Sequence, residues 1–222
     1  LGEVVEVTGP GVLALDGERE SPLGEGVKVR MTVVRDGPRV IDAGRALRLA
    51  ACGVCHSDYS VTTGTIPFPP PVVLGHEGAG IVIEVGEGVT DFSVGDAVVS
   101  SFVSMCGKCR YCQTGRPQLC DQASKAAYTL PDGTVRTKDL QGKPLNIFSG
   151  CGVMAEVATL HTDNVVKIAK DIPLDCAALV SCGVMTGVGA VVNTARVTPG
   201  SITVVFGAGG VGLNAIQGCA LA

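Results

Sequence analysis

The sequence has 222 residues and a formal net charge of −4, and 46% of its residues are hydrophobic against 17% charged. This balance excludes a disordered chain, and no cluster of basic residues marks a nucleic-acid-binding surface. Residues 1–10 lack the basic and apolar segments of a secretory signal peptide. We therefore expect a globular, cytoplasmic protein with no nucleic-acid or membrane partner.

The first half of the chain predicts short β-strands joined by glycine turns. Residues 27–34 alternate β-branched and polar side chains, as a half-buried strand does, and Gly37-Pro38 ends this run. Further strands are predicted at 47–51, 80–85 and 96–103, with a rigid proline-rich loop at 66–71. Closely spaced strands of this kind favour a closed or partly closed β-barrel. Residues 1–26 look like an addition to it.

The pattern changes after about residue 170. Residues 173–192 predict helix and loop, 201–206 form a β-branched run typical of a buried parallel strand, and 213–222 have helical spacing. We expect a first domain over residues 1–183. Residues 184–222 would then be the first strand and helix of a second, α/β domain.

One uncharged segment, residues 176–195, is long enough to span a bilayer. It holds Gly183 and Gly187 at the spacing that membrane helices use for dimerisation. It also contains polar residues such as Ser181 and Thr186, and it lacks the flanking basic residues and aromatic belt of a membrane span. We favour a buried helix and loop in a soluble protein.

Four of the ten cysteines are clustered in the pattern C-x2-C-x2-C-x7-C. They are Cys106, Cys109, Cys112 and Cys120. Two-residue gaps let consecutive thiolates turn toward one ion, and four sulfurs make a closed, tetrahedral, structural zinc site. An iron–sulfur cluster is the alternative, although ferredoxin sequences continue from C-x2-C-x2-C with x3-C-P. Without a secretion signal, metal binding in a reducing compartment explains the cysteines better than disulfides.

Three other residues have the chemistry of a catalytic zinc site. Cys55 lies in Cys-His-Ser-Asp, His76 in Gly-His-Glu and Cys182 in Ser-Cys-Gly. Two thiolates and one imidazole would leave the metal a fourth position for water or an alcohol oxygen. Each signal is weak alone, because a single cysteine is more often a small buried apolar residue. Their weight comes from the combination with the four-cysteine cluster.

A glycine-rich turn follows the strand predicted at 201–206 and precedes a predicted helix. Gly207, Gly209 and Gly212 have the G-x-G-x-x-G spacing of dinucleotide-binding turns. Such a turn lets a pyrophosphate approach the N-terminus of the helix. An ordinary turn between strand and helix is the alternative.

Taken together and in this order, the motifs resemble those of zinc-dependent medium-chain alcohol dehydrogenases over residues 50–222. The resemblance implies a mixed β and α/β protein, with a chaperonin-10-like (GroES-like) β-barrel catalytic domain followed by the start of a dinucleotide-binding (Rossmann) domain. It implies two zinc ions per chain, and NAD or NADP. Cys55, His76 and Cys182 would hold the catalytic zinc, and the four-cysteine cluster would hold the structural one.

The resemblance also assigns roles around these ligands. Ser57 would pass the substrate proton, and Asp58 and Glu77 would lie beside the metal ligands. The residues implied in cofactor binding are His56 near the pyrophosphate, Thr186 near the nicotinamide, and the turn formed by Gly207, Gly209, Gly210, Val211 and Gly212.

The implied activity is hydride transfer between an alcohol or aldehyde and the nicotinamide cofactor, with primary alcohols as expected substrates. Zinc would make the alkoxide accessible near neutral pH, and the cofactor would accept the hydride. The four-cysteine cluster and residues 123–152 look similar to the branch that acts on formaldehyde–thiol adducts, so a hydroxymethyl thiol is a second candidate substrate. An iron–sulfur electron carrier and a zinc-stabilised, non-catalytic binding module remain as alternatives.

The sequence departs from the family pattern at two places. Ser60 stands where a longer proton relay has a histidine, so the relay would end at Ser57 and water or use another group. The acidic residue that reads the cofactor ribose is expected about 20 residues past the glycines, whereas only ten residues follow Gly212. We therefore expect a fragment that is inactive alone, from a protein that forms a homo-oligomer.

Overall fold

A computed structural model describes four N-terminal strands by their backbone, and residues 46–123, 128–131, 133–139 and 141–222. The N-terminal strands are β1 Val4–Thr8, β2 Gly11–Leu15, β3 Arg19–Leu23 and β4 Lys28–Thr32. β1 pairs with β4 and β2 pairs with β3, both antiparallel. β4 confirms the strand predicted at 27–34, while the break predicted at Gly37-Pro38 lies outside the described residues.

The chain divides into two compact units, one of residues 37–182 and one of residues 1–36 with 183–222. In this division residues 1–36 group with the C-terminal segment. The domain limits expected from the sequence, 1–183 and 184–222, stay a prediction.

The unit of residues 37–182 is built on a five-stranded antiparallel sheet. Its strands are β5 Ala46–Gly53, β7 Glu77–Glu84, β8 Ala97–Ser100, β10 Val157–Thr159 and β11 Val165–Lys167, while β6 Val72–Val73 and β9 Asn146–Ile147 form a parallel pair. The order in the sheet is β10-β5-β7-β8-β11. The strands predicted at 47–51, 80–85 and 96–103 correspond to β5, β7 and β8, and no regular element covers the proline-rich loop at 66–71.

Aliphatic side chains fill both faces of this sheet. Successive residues of a strand point to opposite faces, and Val98 and Val99 accordingly belong to different cores. Val98 packs with a cluster that includes Leu47 and Val82, whereas Val99 packs with residues of the helix that covers the other face. At about 1.5–3 kcal/mol for each fully buried large side chain, these two cores hold the sheet in place.

Five α-helices complete the described chain. They are α1 His56–Thr62, α2 Arg110–Gln113, α3 Leu174–Ala178, α4 Gly183–Gly189 and α5 Gly210–Leu221. α3 and α4 confirm helix within residues 173–192, and α5 confirms the helix predicted at 213–222 but begins three residues earlier. Within the part of the chain described, no single helix is long and apolar enough to cross a membrane; Leu174–Ser181 and Gly183–Ala195 meet that test only together, as a bent pair.

The prediction of a strand at 201–206 is wrong. These residues form no strand, and Ile202 and Phe206 are 96% and 94% exposed. A β-strand exists only through hydrogen bonds to a neighbouring strand, and no described segment pairs with this run. β-Branched residues favour a strand conformation, but they do not supply the neighbouring strand that a sheet requires.

Candidate metal centres

Cys55 and His76 come together because strands β5 and β7 pair antiparallel. Gly53 at the end of β5 lies opposite Glu77 at the start of β7. Cys55 follows β5 by two residues and His76 directly precedes β7. Both side chains therefore start from the same end of the paired strands β5 and β7.

Cys182 reaches the same end of these strands from helix α3. The helix packs against β5, β7 and β8, and a 3-10 turn, Leu179–Ser181, leads from it to Cys182. The Sγ atoms of Cys55 and Cys182 lie 3.9 Å apart. Ligand atoms of Cys55, His76, Glu77 and Cys182 all lie within 4.8 Å of one another. The structure thus brings together the three predicted ligands and places Glu77 among them.

Asp58 ties the segments of Cys55 and His76 to each other. Its Oδ2 accepts the backbone N–H of Cys55 at 3.1 Å, and its Oδ1 accepts that of Gly75 at 2.9 Å. The same Oδ1 lies 3.4 Å from Nδ1 of His76, and Asp58 is only 2% exposed. A buried carboxylate with two backbone donors is a rigid support for the residues on either side.

Two glycines leave room for this arrangement. Gly75 has φ +94°, and a Cβ there would collide with the main chain of Met154. A Cβ on Gly53 would collide with the carboxylate of Glu77. At Gly75 only glycine tolerates both the positive φ and the close approach of main chain, so this position fixes how His76 enters the site; at Gly53 an added side chain would require the Glu77 carboxylate to move.

The imidazole of His76 is completely buried, and neither ring nitrogen has a hydrogen-bond partner among the described residues. The rings of Phe102 and Phe148 pack against it edge-on, with centroids at 4.8 Å and 5.4 Å. Buried polar atoms almost always have a partner, so an imidazole in this state indicates that something else satisfies it.

Charge in the site opposes the effect of burial. Burial disfavours the imidazolium of His76, but the Asp58 carboxylate and the Cys55 thiol outweigh it and raise the pKa of His76 to about 9. The neighbouring Cys182 thiol is the largest cause of a pKa of Cys55 far below its usual value, and His76 adds to it. The site therefore favours a thiolate at Cys55.

Zinc fits this set of donors. Thiolate sulfur and imidazole nitrogen are its preferred ligands, and three of them leave a position for a further group. The ion would also bind the buried imidazole of His76, whose ring nitrogens make no hydrogen bond among the described residues, and neutralise the Cys55 thiolate. Cys55, His76 and Cys182 are called the catalytic set below.

The four-cysteine cluster forms a second, separate set of donors. Ligand atoms of Cys106, Cys109, Cys112 and Cys120 lie within 4.8 Å of one another, and the Sγ atoms of Cys109 and Cys120 are 4.0 Å apart. A tetrahedron with Zn–S bonds of about 2.3 Å has sulfur–sulfur edges of about 3.8 Å. This spacing favours a single ion over an iron–sulfur cluster.

Backbone N–H groups orient the sulfurs of this four-cysteine set. Cys120 Sγ accepts from the N–H of Cys106 and of Gln122, at 3.5 Å and 3.4 Å, and Cys109 Sγ accepts from Cys112 at 3.5 Å. The N–H groups of Cys112 and Asp121 lower the pKa of Cys109 to about 6. Donors aimed at sulfur stabilise thiolates, the form that binds metal.

The match to a known family agrees with both sets. Residues 44–170, more than half of the chain, match the alcohol dehydrogenase GroES-like domain. The chain belongs to the zinc-dependent alcohol dehydrogenase family.

Individual alcohol dehydrogenases are similar along most of the chain. A Mycobacterium tuberculosis protein assigned as an alcohol dehydrogenase is 44% identical over 189 residues, covering 84% of this chain and 50% of that protein. S-(hydroxymethyl)glutathione dehydrogenase of Paracoccus denitrificans is 40% identical over 198 residues, covering 86% and 52%. This chain spans about half the length of both relatives.

A solved structure shows the same similarity in three dimensions. It is an alcohol dehydrogenase zinc-binding domain protein from Burkholderia ambifaria, 32% identical, with a TM-score of 0.76 over 99% of this chain and 57% of that one. The mixed β and α/β fold with a GroES-like domain, expected from the sequence, is thereby confirmed.

The residues expected to bind the cofactor have the following local structure. Gly207 has φ +96°, and a Cβ on Gly212 would collide with the Gly207 carbonyl, as a tight turn before a helix requires. Thr186 is exposed on α4, and His56 is the first residue of α1. Their roles, like those of Gly209, Gly210 and Val211 in the turn, stay a prediction.

The sequence did not predict the partner of His56. Its Nδ1 lies 3.1 Å from the hydroxyl of Ser60, the residue that stands in the place of the relay histidine. The two residues are four apart on one helix, and this spacing was the signal that could have shown their contact.

Proposed function

We propose that this chain carries the catalytic and structural zinc sites of an enzyme that transfers hydride between an alcohol or aldehyde and NAD or NADP. The observation that carries the proposal is the convergence of Cys55, His76 and Cys182. They come from three separate segments, and their donor atoms lie within 4.8 Å of one another around a buried imidazole. A zinc-stabilised binding module has no need of a second, incomplete set of ligands.

The side chains around the catalytic set have separate tasks. Asp58 keeps the segments of Cys55 and His76 in place, and the carboxylate of Glu77 adds negative charge beside the metal. Ser57 Oγ lies 3.6 Å from Cys55 Sγ, so its hydroxyl is within reach of a group bound next to that sulfur and would pass the substrate proton on to water. When bound, zinc supplies a Lewis acid and the nicotinamide a hydride acceptor.

Primary alcohols are the substrates that the site supports first. The hydroxyl oxygen of an alcohol would take the coordination position that the three protein ligands leave open. A hydroxymethyl thiol adduct is the second candidate, and the relative named S-(hydroxymethyl)glutathione dehydrogenase, 40% identical, supports it. A homo-oligomer remains our expectation for the enzyme.

The decisive test is an open coordination position, and it requires no cofactor. Cobalt(II) would replace zinc in the 222-residue chain, and visible spectra would be recorded while imidazole and then a primary alcohol are added. We expect the bands of the catalytic set to shift on each addition, because its three protein ligands leave a position open. The four-cysteine set is closed, so its bands serve as the internal control.

The variant Cys182→Ala extends this test. It removes one ligand of the catalytic set and should abolish the response to imidazole and alcohol while the four-cysteine bands remain. Cobalt spectra that respond to neither ligand in the unmodified chain would contradict the proposed function and favour a purely structural metal protein.

A further inference from the structure

Ser100, the last residue of β8, makes a contact that none of the motifs predicts. Its side chain is directed at the main chain on either side of Glu77 and is 1% exposed. The hydroxyl accepts the N–H of Gly78 at 2.8 Å and donates to the carbonyl of His76 at 2.6 Å. One buried hydroxyl thus holds three consecutive residues, two of which belong to the group of donors around Cys55.

The pairing of the strands explains why a side chain is needed here. In an antiparallel sheet the N–H and C=O groups of alternate residues face alternate neighbours. Those of Glu77 face β5, so those of His76 and Gly78 face β8. The backbone pairing of β7 with β8 stops at Ala79 opposite Val99. Beyond that point, Ser100 Oγ makes the hydrogen bonds to His76 and Gly78 that a backbone partner would otherwise make.

The state of the imidazole makes this support important. By strict geometry neither ring nitrogen of His76 makes a hydrogen bond among the described residues, and the nearest carboxylate oxygen, Asp58 Oδ1, lies at a long 3.4 Å from Nδ1. The ring is placed by its main chain, by the nearby Asp58 carboxylate and by two phenylalanine rings. A loss of backbone order at His76 is therefore transmitted directly to the ligand atom.

We infer that Ser100 is a positioning residue for the metal ligand His76. It holds the backbone of residues 76–78 in the conformation that keeps the imidazole within reach of Cys55 and Cys182. The inference rests on the proposed function, because it assumes that these three residues hold a metal.

The test compares Ser100→Ala with Ser101→Ala in the 222-residue chain. Ser101 is the matched control, because it is also buried, at 3%, but its hydroxyl donates to the Val103 carbonyl. Zinc affinity at each set would be measured by competition with a chromophoric chelator, and cobalt(II) spectra would report the ligand geometry. Zinc at the four-cysteine set reports whether each variant is folded.

We expect Ser100→Ala to weaken zinc at the catalytic set by about 10–100-fold, the usual effect of losing a group that orients a ligand. The cobalt bands of that set should change, while those of the four-cysteine set should not. Ser101→Ala should leave both sets unaltered. Ser100→Thr, which keeps the hydroxyl, should restore most of the affinity.

Three results would overturn the inference. Affinity of Ser100→Ala within twofold of the unmodified chain shows that the hydroxyl is dispensable, and equal weakening of both sets shows a general loss of stability. Either result leaves the proposed function intact. A single zinc ion in the unmodified chain, bound by the four-cysteine set, would overturn the proposed function and this inference with it.

Discussion

His76 shows at the scale of one residue how the two metal ligands and a carboxylate depend on each other. It is fully buried, which alone would keep the imidazole neutral, yet Asp58 and Cys55 raise its pKa to about 9. Zinc binds the neutral imidazole. Below pH 9 the metal must therefore displace a proton from His76, and the two cations compete for one site.

This competition predicts how zinc binding depends on pH. Between pH 6 and pH 8, below the His76 pKa of about 9, we expect the apparent zinc affinity of the catalytic set to rise at least about tenfold per pH unit. The sign follows because His76 carries its proton throughout this range in the metal-free chain. Chelator competition at a series of pH values measures the slope.

Asp58→Asn is the control for the pH prediction. It removes one of the two groups that raise the His76 pKa, so above pH 7 the pH dependence should fall by about the one proton that His76 releases, even if the affinity itself falls. The proton that the Cys182 thiol gives up to zinc remains. A catalytic set whose zinc affinity is independent of pH from 6 to 8 would show that His76 is not a ligand or does not hold the proton.

Cys109→Ser tests the second metal set. Its sulfur accepts the N–H of Cys112 and lies 4.0 Å from the sulfur of Cys120, so the substitution removes a ligand from the centre of the cluster. We expect the zinc content to fall from two ions to one and the free energy of unfolding to fall by more than about 2 kcal/mol. Elemental analysis and urea unfolding measure both.

The control for this prediction is Cys176→Ser, because Cys176 is exposed and belongs to neither set. It should change neither zinc content nor stability. A brown protein that contains iron and sulfide in place of the second zinc would contradict the prediction and support the iron–sulfur alternative.

Single residues also show what could be predicted from the sequence. The candidate metal ligands stand in short motifs of residue types that bind metal, so the sequence alone singled out Cys55, His76, Cys182 and the four clustered cysteines, which the structure groups into two sets. Ser100 and Gly53 were not, because their contacts cross between strands. Such a contact follows only from the register of β5, β7 and β8, and the sequence does not determine that register to a single residue.

At the scale of elements, glycine decides how closely α4 and α5 pack. A Cβ on Gly187 would lie 2.5 Å from the carbonyl oxygen of Val211 and 2.7 Å from the amide nitrogen of Ala215. The two helices therefore meet backbone to backbone. Gly187, one of the two glycines that raised a membrane interpretation, has a packing function in this contact.

We predict that Gly187→Ala destabilises the unit that contains α4 and α5 by about 1–3 kcal/mol, because an added methyl group forces the helices apart. Gly189→Ala is the matched control: its Cβ would meet only Asn193 Nδ2, at 3.8 Å. In helical backbone that change should stabilise by about 0.5–1 kcal/mol. Urea unfolding followed by circular dichroism compares the two, and equal effects would contradict the packing argument.

The elements also differ in how well a local pattern predicts them. Helix α5 was predicted because a helix makes its hydrogen bonds within its own segment. The run 201–206 was predicted as a strand from β-branched residues, but the bonds of a strand come from elsewhere in the chain. Its exposure shows that the residue pattern alone is insufficient to form a strand.

At the scale of the whole molecule, the metal sites and the cofactor turn differ in how much of the surrounding chain is packed and hydrogen-bonded. Both metal sets lie within residues 37–182, and the donor atoms of each set lie within 4.8 Å of one another. In the glycine turn at 207–212, Gly207 has φ +96°, as a tight turn requires, but the six residues before it form no strand and are mostly exposed. This contrast predicts metal binding without tight cofactor binding.

We therefore predict that the 222-residue chain binds two zinc ions but neither NAD nor NADH tightly, and that it is inactive alone. Ordering residues 201–206 would cost about 1–2 kcal/mol per residue. For six residues the sum is about 6–12 kcal/mol, comparable to the roughly 8 kcal/mol that a micromolar dissociation constant provides. Isothermal titration should show no saturation at micromolar cofactor. Two zinc ions in the same sample verify that the metal-binding unit is folded, and a submicromolar dissociation constant would show that the turn needs no sheet behind it.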